Sequence, residues 1–400
     1  MSKTGKALKT AALTGALSGA LPAAFTFDNM IRLRLRESAT EHLQEAGAVR
    51  YPEGVRGGER ARSMDEVMAS LREIPFNPKP YGGVLSTIIF ALPDIYPMLM
   101  ATRPSTSGLL YRYPKPFQKV VPVSEDGTPI QGVMALHPDN QPRPALVMVH
   151  GLFGSKNIRF SQQVILSAYY GWGYNVMAID LRFFGESKKL SGAPGSGGWK
   201  EGQDILAAAR HLKSLPQVTS VAVMGGSYGA ASAILASAQC GDDCLDGGVI
   251  AFCPYGDTAR QLRFISTAPR PWEPFSSIYP FFMACFKMTT AGHYKGYGTF
   301  ERFLREYSAP YYGVAPDELI ELSSPALHLE KIKVPTLVVN TRDDPVIPLE
   351  QGRILAEAAS DNPAVRSMIL EAGGHCGVAT VDRAWMSRAV RTFYDYWAWA

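Results

Sequence analysis

The chain has 400 residues, 46% of them hydrophobic, and a net charge of +4 at pH 7. That length and apolar content suffice for one large core plus additions, while so mild and scattered a positive charge argues against a nucleic-acid partner. No C-x-x-C pair, H-E-x-x-H or P-loop occurs, so neither a metal nor a nucleotide cofactor is expected.

From the amino terminus, Lys3, Lys6 and Lys9 precede an uncharged run rich in Ala, Gly and Leu, from Ala11 to Phe25. Positive charge followed by apolar residues is the pattern of a signal or anchor segment. Residues 1–25 are read that way, and the expected location is exported or membrane-associated, with cytoplasmic as the alternative. Leu21-Pro22-Ala23-Ala24 is a poor cleavage site, and the run falls short of the ~20 residues that a spanning helix needs. Residues 26–114 read as a partly helical extension. Within it Val84 to Ala101 is apolar but broken by Pro93, Asp94 and Pro97, which predicts a buried or membrane-surface helical hairpin at a pocket entrance rather than a span.

The main body is expected over residues 115–253 and 330–400. Lys119 to Val123, Ile130 to Leu136, Pro144 to Val149 and Tyr174 to Ile179 read as strands, with a helix near Ser161 to Tyr170. Ile205, Ala208, Leu212 and Leu215 recur at helical spacing and predict an amphipathic helix over Glu201 to Leu215. Thr219 to Met224, Gly248 to Phe252, Val334 to Asn340 and Met368 to Leu370 are further strand candidates. Val381, Trp385, Phe393 and Trp397 mark a closing helix. Such alternation predicts an α/β protein with a mostly parallel central sheet, covered by helices on both faces.

Residues 254–329 interrupt this order and are expected to form a helical cap. Pro271 to Met288 carries Trp272, Phe275, Ile278, Tyr279, Phe281, Phe282, Met283, Phe286 and Met288, too many large apolar groups for an exposed loop. Two readings stay open for them, a hydrophobic pocket over the site and plain packing of cap against body. Pocket candidates are Phe281, Phe282 and Phe286, with Phe153 from the body. Asp257 and His293 are read as structural.

The chemistry centres on Gly225-Gly226-Ser227-Tyr228-Gly229, set between an apolar run and the small-residue run Ala230 to Ala238. Strand, sharp turn and helix form the setting in which G-x-S-x-G exposes its serine as a nucleophile. A serine hydroxyl needs a base and a carboxylate to orient that base. Among seven histidines, His375 lies between glycines just after a strand candidate. Asp344, in Thr341-Arg342-Asp343-Asp344-Pro345, is the chosen acid, and Asp343 the close alternative. Oxyanion donors are assigned to the backbone N–H groups of Leu152 and Tyr228. His150 is read as packing the oxyanion loop, and Cys376 as a packing neighbour of His375. Cys240 and Cys244, four apart, form either a local disulfide or two free thiols.

With those residues named, the chain resembles the α/β-hydrolase superfamily and, within it, the branch of abhydrolase-domain lipid esterases. The likeness rests on His150 to Ser155, Asp180-Leu181-Arg182, Gly225 to Gly229, Ser323-Ser324-Pro325, Val334 to Leu337, Asp343-Asp344-Pro345 and Gly373-Gly374-His375, and covers about residues 115 to 400. It departs at Asp180 to Gly185, where relatives usually carry Arg-Gly and a small or polar residue; here Phe183 and Phe184 bear on substrate class. The resemblance implies an α/β-hydrolase fold and action on carboxylic esters and lipids. The expectation is a serine hydrolase that forms an acyl-enzyme on Ser227 and cleaves esters with a hydrophobic acyl or alcohol part. Acyl transfer by the same residues and a non-catalytic ligand-binding protein are the alternatives. The expected partner is a small-molecule or lipid ester, with membrane-surface association; no oligomeric state follows from the sequence.

Overall fold

The computed structural model describes residues 63–94, 113–241, 244–290 and 297–399. The segment read as a signal or anchor, most of the remaining extension and His293 lie outside the described residues. Among the described residues no helix is long and apolar enough to cross a membrane.

The strands are β1 (Gln118–Val120), β2 (Gly132–Ala135), β3 (Arg143–Val149), β4 (Asn175–Ile179), β5 (Val218–Gly226), β6 (Val249–Phe252), β7 (Thr336–Thr341) and β8 (Val365–Leu370). They form one sheet in the order β1-β2-β4-β3-β5-β6-β7-β8. Pairings of β1 with β2 and β2 with β4 are antiparallel, and all the others are parallel. Strand β1 stops short of the expected Val123, leaving a bridge between Val123 and Pro129. Pro122 and Pro129 have no N–H to continue the ladder. Strand β8 starts ahead of the apolar run, with Val365, Arg366 and Ser367 paired with Thr336, Leu337 and Val338 of β7, and Arg366, out of place by hydropathy, reaches Asp65 at 2.8 Å.

The longer α-helices among the described residues are α1 (Met64–Arg72), α2 (Gly83–Ala91), α3 (Arg159–Ser167), α4 (Trp199–Lys213), α5 (Tyr228–Gln239), α6 (Thr258–Ser266), α7 (Tyr279–Thr290), α8 (Pro316–Leu322), α9 (Leu349–Ala358) and α10 (Arg383–Trp397). Alternate residues of each inner strand feed opposite faces. On one face Ala145, Val147, Val149, Val221 and Val223 pack with Ile205, Ala208 and Leu212 of α4 and with the alanines of α5. On the other, Leu146, Met148, Ala222 and Met224 meet Val164 and Ile165 of α3, Trp385 and Phe393 of α10, and Met64, Val67 and Leu71 of α1. The small-residue run of α5 lets α4 come close: a Cβ on Gly202 would sit 3.0 Å from the Ala236 amide nitrogen.

Helix α2 reverses the usual burial. Its small polar residues Ser86 and Thr87 are buried, while Leu85 and Leu92, just beyond its end, are 47% and 61% exposed. Both hydroxyls donate to carbonyls one turn back, Ser86 to Gly82 O at 2.8 Å and Thr87 to Gly83 O at 2.7 Å, so burial leaves neither without a partner.

Between β6 and β7 the described chain is helical or turn, with α6, α7, a helical run over 300–312, and α8. Asp257 caps α6, accepting from the Arg260 N–H at 3.0 Å. Trp272 departs from the packing reading: it is 74% exposed, whereas Phe275, Cys285 and Phe286 are buried. Cys240 and Cys244 are joined as a disulfide after α5.

Candidate active site

Strand β5, paired on both sides, runs into α5 through Ser227. Ser227 has φ 54° and ψ −118°, a strained backbone for a residue with a Cβ. The turn closes because its flanks lack side chains. A Cβ on Gly225 would lie 2.3 Å from the Gly229 carbonyl oxygen, and one on Gly229 would lie 2.4 Å from that of His150. The Ser227 N–H donates to Phe252 O at 2.7 Å, tying the turn to the end of β6.

The ends of β7 and β8 bring the acid and the imidazole. His375 Nε2 lies 2.8 Å from Ser227 Oγ, and its Nδ1 lies 2.9 Å from Asp344 Oδ2. Because a carboxylate only accepts, Nδ1 carries a proton, and in the neutral ring the Nε2 lone pair faces the serine hydroxyl. Asp344 Oδ1 accepts from the Val346 and Ile347 N–H groups at 2.7 and 2.9 Å. Asp343, the alternative acid, instead accepts from the Gly374 N–H at 2.8 Å and holds the histidine loop. Burial alone lowers the pKa of His375, but the Asp344 carboxylate more than offsets it, and the ring is raised to about 9. A hydroxyl so placed can pass its proton to the ring while its oxygen bonds to an electrophile.

Leu152 and Tyr228 both border the cavity into which Ser227 opens. Tyr228 is the first residue of α5, where an N–H has no acceptor within the helix. The Gly151 carbonyl accepts from Gly154 N–H at 3.0 Å and from His150 Nδ1 at 2.7 Å. In a trans peptide the N–H points opposite its carbonyl, so the Leu152 N–H is turned away from these donors. His150 is fully buried, and its Nε2 accepts from the Leu181 N–H at 3.1 Å. Its place is packing, as expected, together with orienting the 151–152 peptide. Burial pushes its pKa down, in keeping with a neutral ring.

The cavity measures about 390 Å³, and its wall is mostly apolar. Phe153, Phe281 and Phe282 line it; Phe286 does not, being buried behind the wall against Phe300, with ring centroids 4.4 Å apart. Phe183 and Phe184, set apart in sequence only as a departure from the resembled pattern, also line it. They are fixed by Arg182, buried on Asp204 and Asp126 at 2.6 Å each, and by Gly185, where a Cβ would strike the Asp180 carboxylate at 2.3 Å. Thr87, Ile88 and Ala91 of α2 complete one side, so the described part of the apolar stretch 84–101 does border the pocket. Sequence gave an entrance there but no sign of which loop α2 would meet.

Cys376 packs beneath the turn, as its reading had it: its N–H donates to Cys253 Sγ at 3.3 Å, and both cysteines are buried. Cys253, His375 and Cys376 bring their ligand atoms within 4.8 Å of one another. With both ring nitrogens already engaged, an ion there would have to displace Asp344 or Ser227 from the imidazole.

Medium-chain fatty acid ethyl ester synthase/esterase 2 of Saccharomyces cerevisiae is 30% identical over 102 residues, 25% of this chain and 22% of that protein. Acylamino-acid-releasing enzyme 1 of Oryza sativa subsp. japonica is 32% identical over 107 residues, 25% of this chain and 13% of its own. The match thus spans less than a quarter of the length of either relative. An esterase structure from Pyrococcus furiosus superposes with a TM-score of 0.49 at 20% identity, over 74% of this chain and 96% of its own. The model of the alpha/beta hydrolase family matches residues 146–387, well over half of the sequence, and the protein belongs to that family.

Proposed function

We propose that this hydrolase cleaves carboxylic esters whose acyl or alcohol part is hydrophobic, through an acyl-enzyme on Ser227. One observation carries the reading: the hydrogen-bonded line Asp344–His375–Ser227 opens into a mostly apolar cavity of about 390 Å³. Ser227 Oγ attacks the acyl carbon while its proton passes to His375 Nε2, and Asp344 stabilises the imidazolium. The oxyanion is held by the Leu152 and Tyr228 N–H groups, each such donor being worth roughly 3–4 kcal/mol in related chemistry. The alcohol leaves with the proton from Nε2. Water then gives a proton to Nε2 as its oxygen bonds to the acyl carbon, and the acid departs as the proton returns to Ser227.

The apolar wall supports a hydrophobic substrate, because a polar chain would give up hydration there without replacement hydrogen bonds. The test is a panel of p-nitrophenyl esters of graded acyl length on purified protein, with Ser227→Ala as blank. Expected are turnover by the wild type, loss in the variant with its fold intact, and fluorophosphonate labelling of Ser227. An unlabelled Ser227, or a variant that turns over like the wild type, sinks the proposal.

A second reading, acyl transfer to an alcohol, draws support from the name of the yeast relative, a synthase/esterase. Adding ethanol to the ester assay separates the two, since transfer yields ethyl ester in place of free acid.

A further inference from the structure

The backbone of His375 is anchored by a residue far upstream. The His375 N–H donates to Thr87 Oγ1 at 2.8 Å, across 288 positions of sequence. The direction of that bond is fixed, because the Thr87 hydroxyl spends its own proton on Gly83 O, 2.7 Å away, one turn back in α2. What it offers His375 is therefore a lone pair. Thr87 is 5% exposed, so solvent is a poor substitute.

The rest of α2 locks onto the same two loops through positions without side chains. A Cβ on Gly83 would fall 1.6 Å from Asp343 O, one on Gly374 would fall 2.3 Å from Gly83 O, and one on Gly377 would fall 3.0 Å from Ser86 O. Helix α2 thus touches both the loop that carries Asp344 and the loop that carries His375. It lies ahead of residue 146, where the match to the family begins.

We infer that α2 is the positioning element of the active site and that Thr87, through its acceptor oxygen, holds the His375 loop at the place where the imidazole bridges Asp344 and Ser227. The inference rests on the serine-hydrolase reading above. The Thr87 side chain also borders the cavity, so loss of positioning has to be told apart from loss of substrate contact.

Thr87→Val keeps the shape and removes the acceptor; Thr87→Ser keeps the acceptor and removes the methyl. Both are compared with the wild type on p-nitrophenyl butyrate and a fluorophosphonate probe, below the thermal transition of each protein. Expected for Thr87→Val is a drop in kcat of about tenfold with KM within about twofold, and a matching drop in labelling rate. The acidic limb of its pH profile moves down, because an imidazole displaced from Asp344 loses the charge that favours its protonated form. Thr87→Ser returns most of the lost rate. Wild-type kcat in Thr87→Val, a change in KM alone, or equal losses in the two variants overturns the inference. A wild type that neither turns over ester nor takes the label overturns the serine-hydrolase reading with it, whereas an active wild type matched by Thr87→Val overturns this inference alone.

Discussion

Asp343 and Asp344 are neighbours in the chain, yet they serve different atoms of one loop: Asp344 faces the Nδ1 of His375, and Asp343 takes the backbone N–H of Gly374. The division gives the two carboxylates separable roles. Asp344→Asn is expected to lower kcat by about 10³- to 10⁴-fold, because an amide can donate to Nδ1 and select the wrong tautomer. Asp343→Asn retains an oxygen for Gly374 and should lose less than about tenfold. Parallel kcat and KM measurements decide; equal losses in the two variants contradict the assignment of Asp344.

The raised pKa of His375 sets the pH dependence. The ring must be neutral to accept the Ser227 proton, so kcat/KM is expected to rise with pH and level off above about 9. Stability runs the other way. A histidine whose folded pKa is raised stabilises the protein fully below its unfolded value of about 6.5, and that contribution is lost as pH climbs through the folded value. Thermal melting across pH 6 to 10 should fall while activity climbs, and Asp344→Ala should remove this part of the slope. An activity profile already flat at pH 7 contradicts the raised value.

Sequence and structure part company in an instructive way. Ser227, His375 and Asp344 were legible because each sits at the end of a strand with its own local signature: flanking glycines, an apolar run, or a strand breaking into charged turn residues. Phe286 read as pocket because aromatic composition marks an apolar surface without saying which side of α7 faces the cavity. Thr87 gave no signal. A threonine in an apolar run is unremarkable until the fold brings the His375 amide to it, and contacts made across 288 residues leave no local periodicity. The burial of Ser86 and Thr87 in place of Leu85 goes against hydropathy for the same reason. Close backbone approach at Gly83, Gly374 and Gly377 admits only small groups on that side of α2.

Substrate length should respond to Phe282. Its ring lies against Phe153, Phe275 and Phe300, with centroids 5.1, 5.7 and 6.2 Å away, and it borders the cavity. Phe282→Ala lengthens the apolar space, and each methylene newly accommodated is worth roughly 1–3 kcal/mol in specificity. The ratio of kcat/KM for decanoate over butyrate p-nitrophenyl esters is expected to rise by about tenfold or more. An unchanged ratio places the acyl chain elsewhere.

Asp204 offers a test of what fixes the loop bearing Phe183 and Phe184. Arg182 is fully buried and shares its guanidinium among Asp204 at 2.6 Å, Asp126 at 2.6 Å and Ser124 Oγ at 3.1 Å. Asp126 is partly exposed, so Asp204, on α4, is the one wholly buried counter-charge in this set. Removing it leaves a guanidinium in the core with half its compensation, and breaking a buried pair from one side costs about 3–5 kcal/mol. Asp204→Asn is therefore expected to lower the unfolding free energy obtained from urea titration by an amount in that range, reduced where Asp126 takes up part of the load, with the midpoint falling in proportion. Replacing both partners, Arg182→Met with Asp204→Leu, should recover much of the loss, since the one charge left without its partner is then Asp126, which is partly exposed to solvent. If the double variant is less stable than Asp204→Asn alone, the pair contributes more than mutual neutralisation, and the polar links of Arg182 to Ser124 and Tyr312 carry the difference.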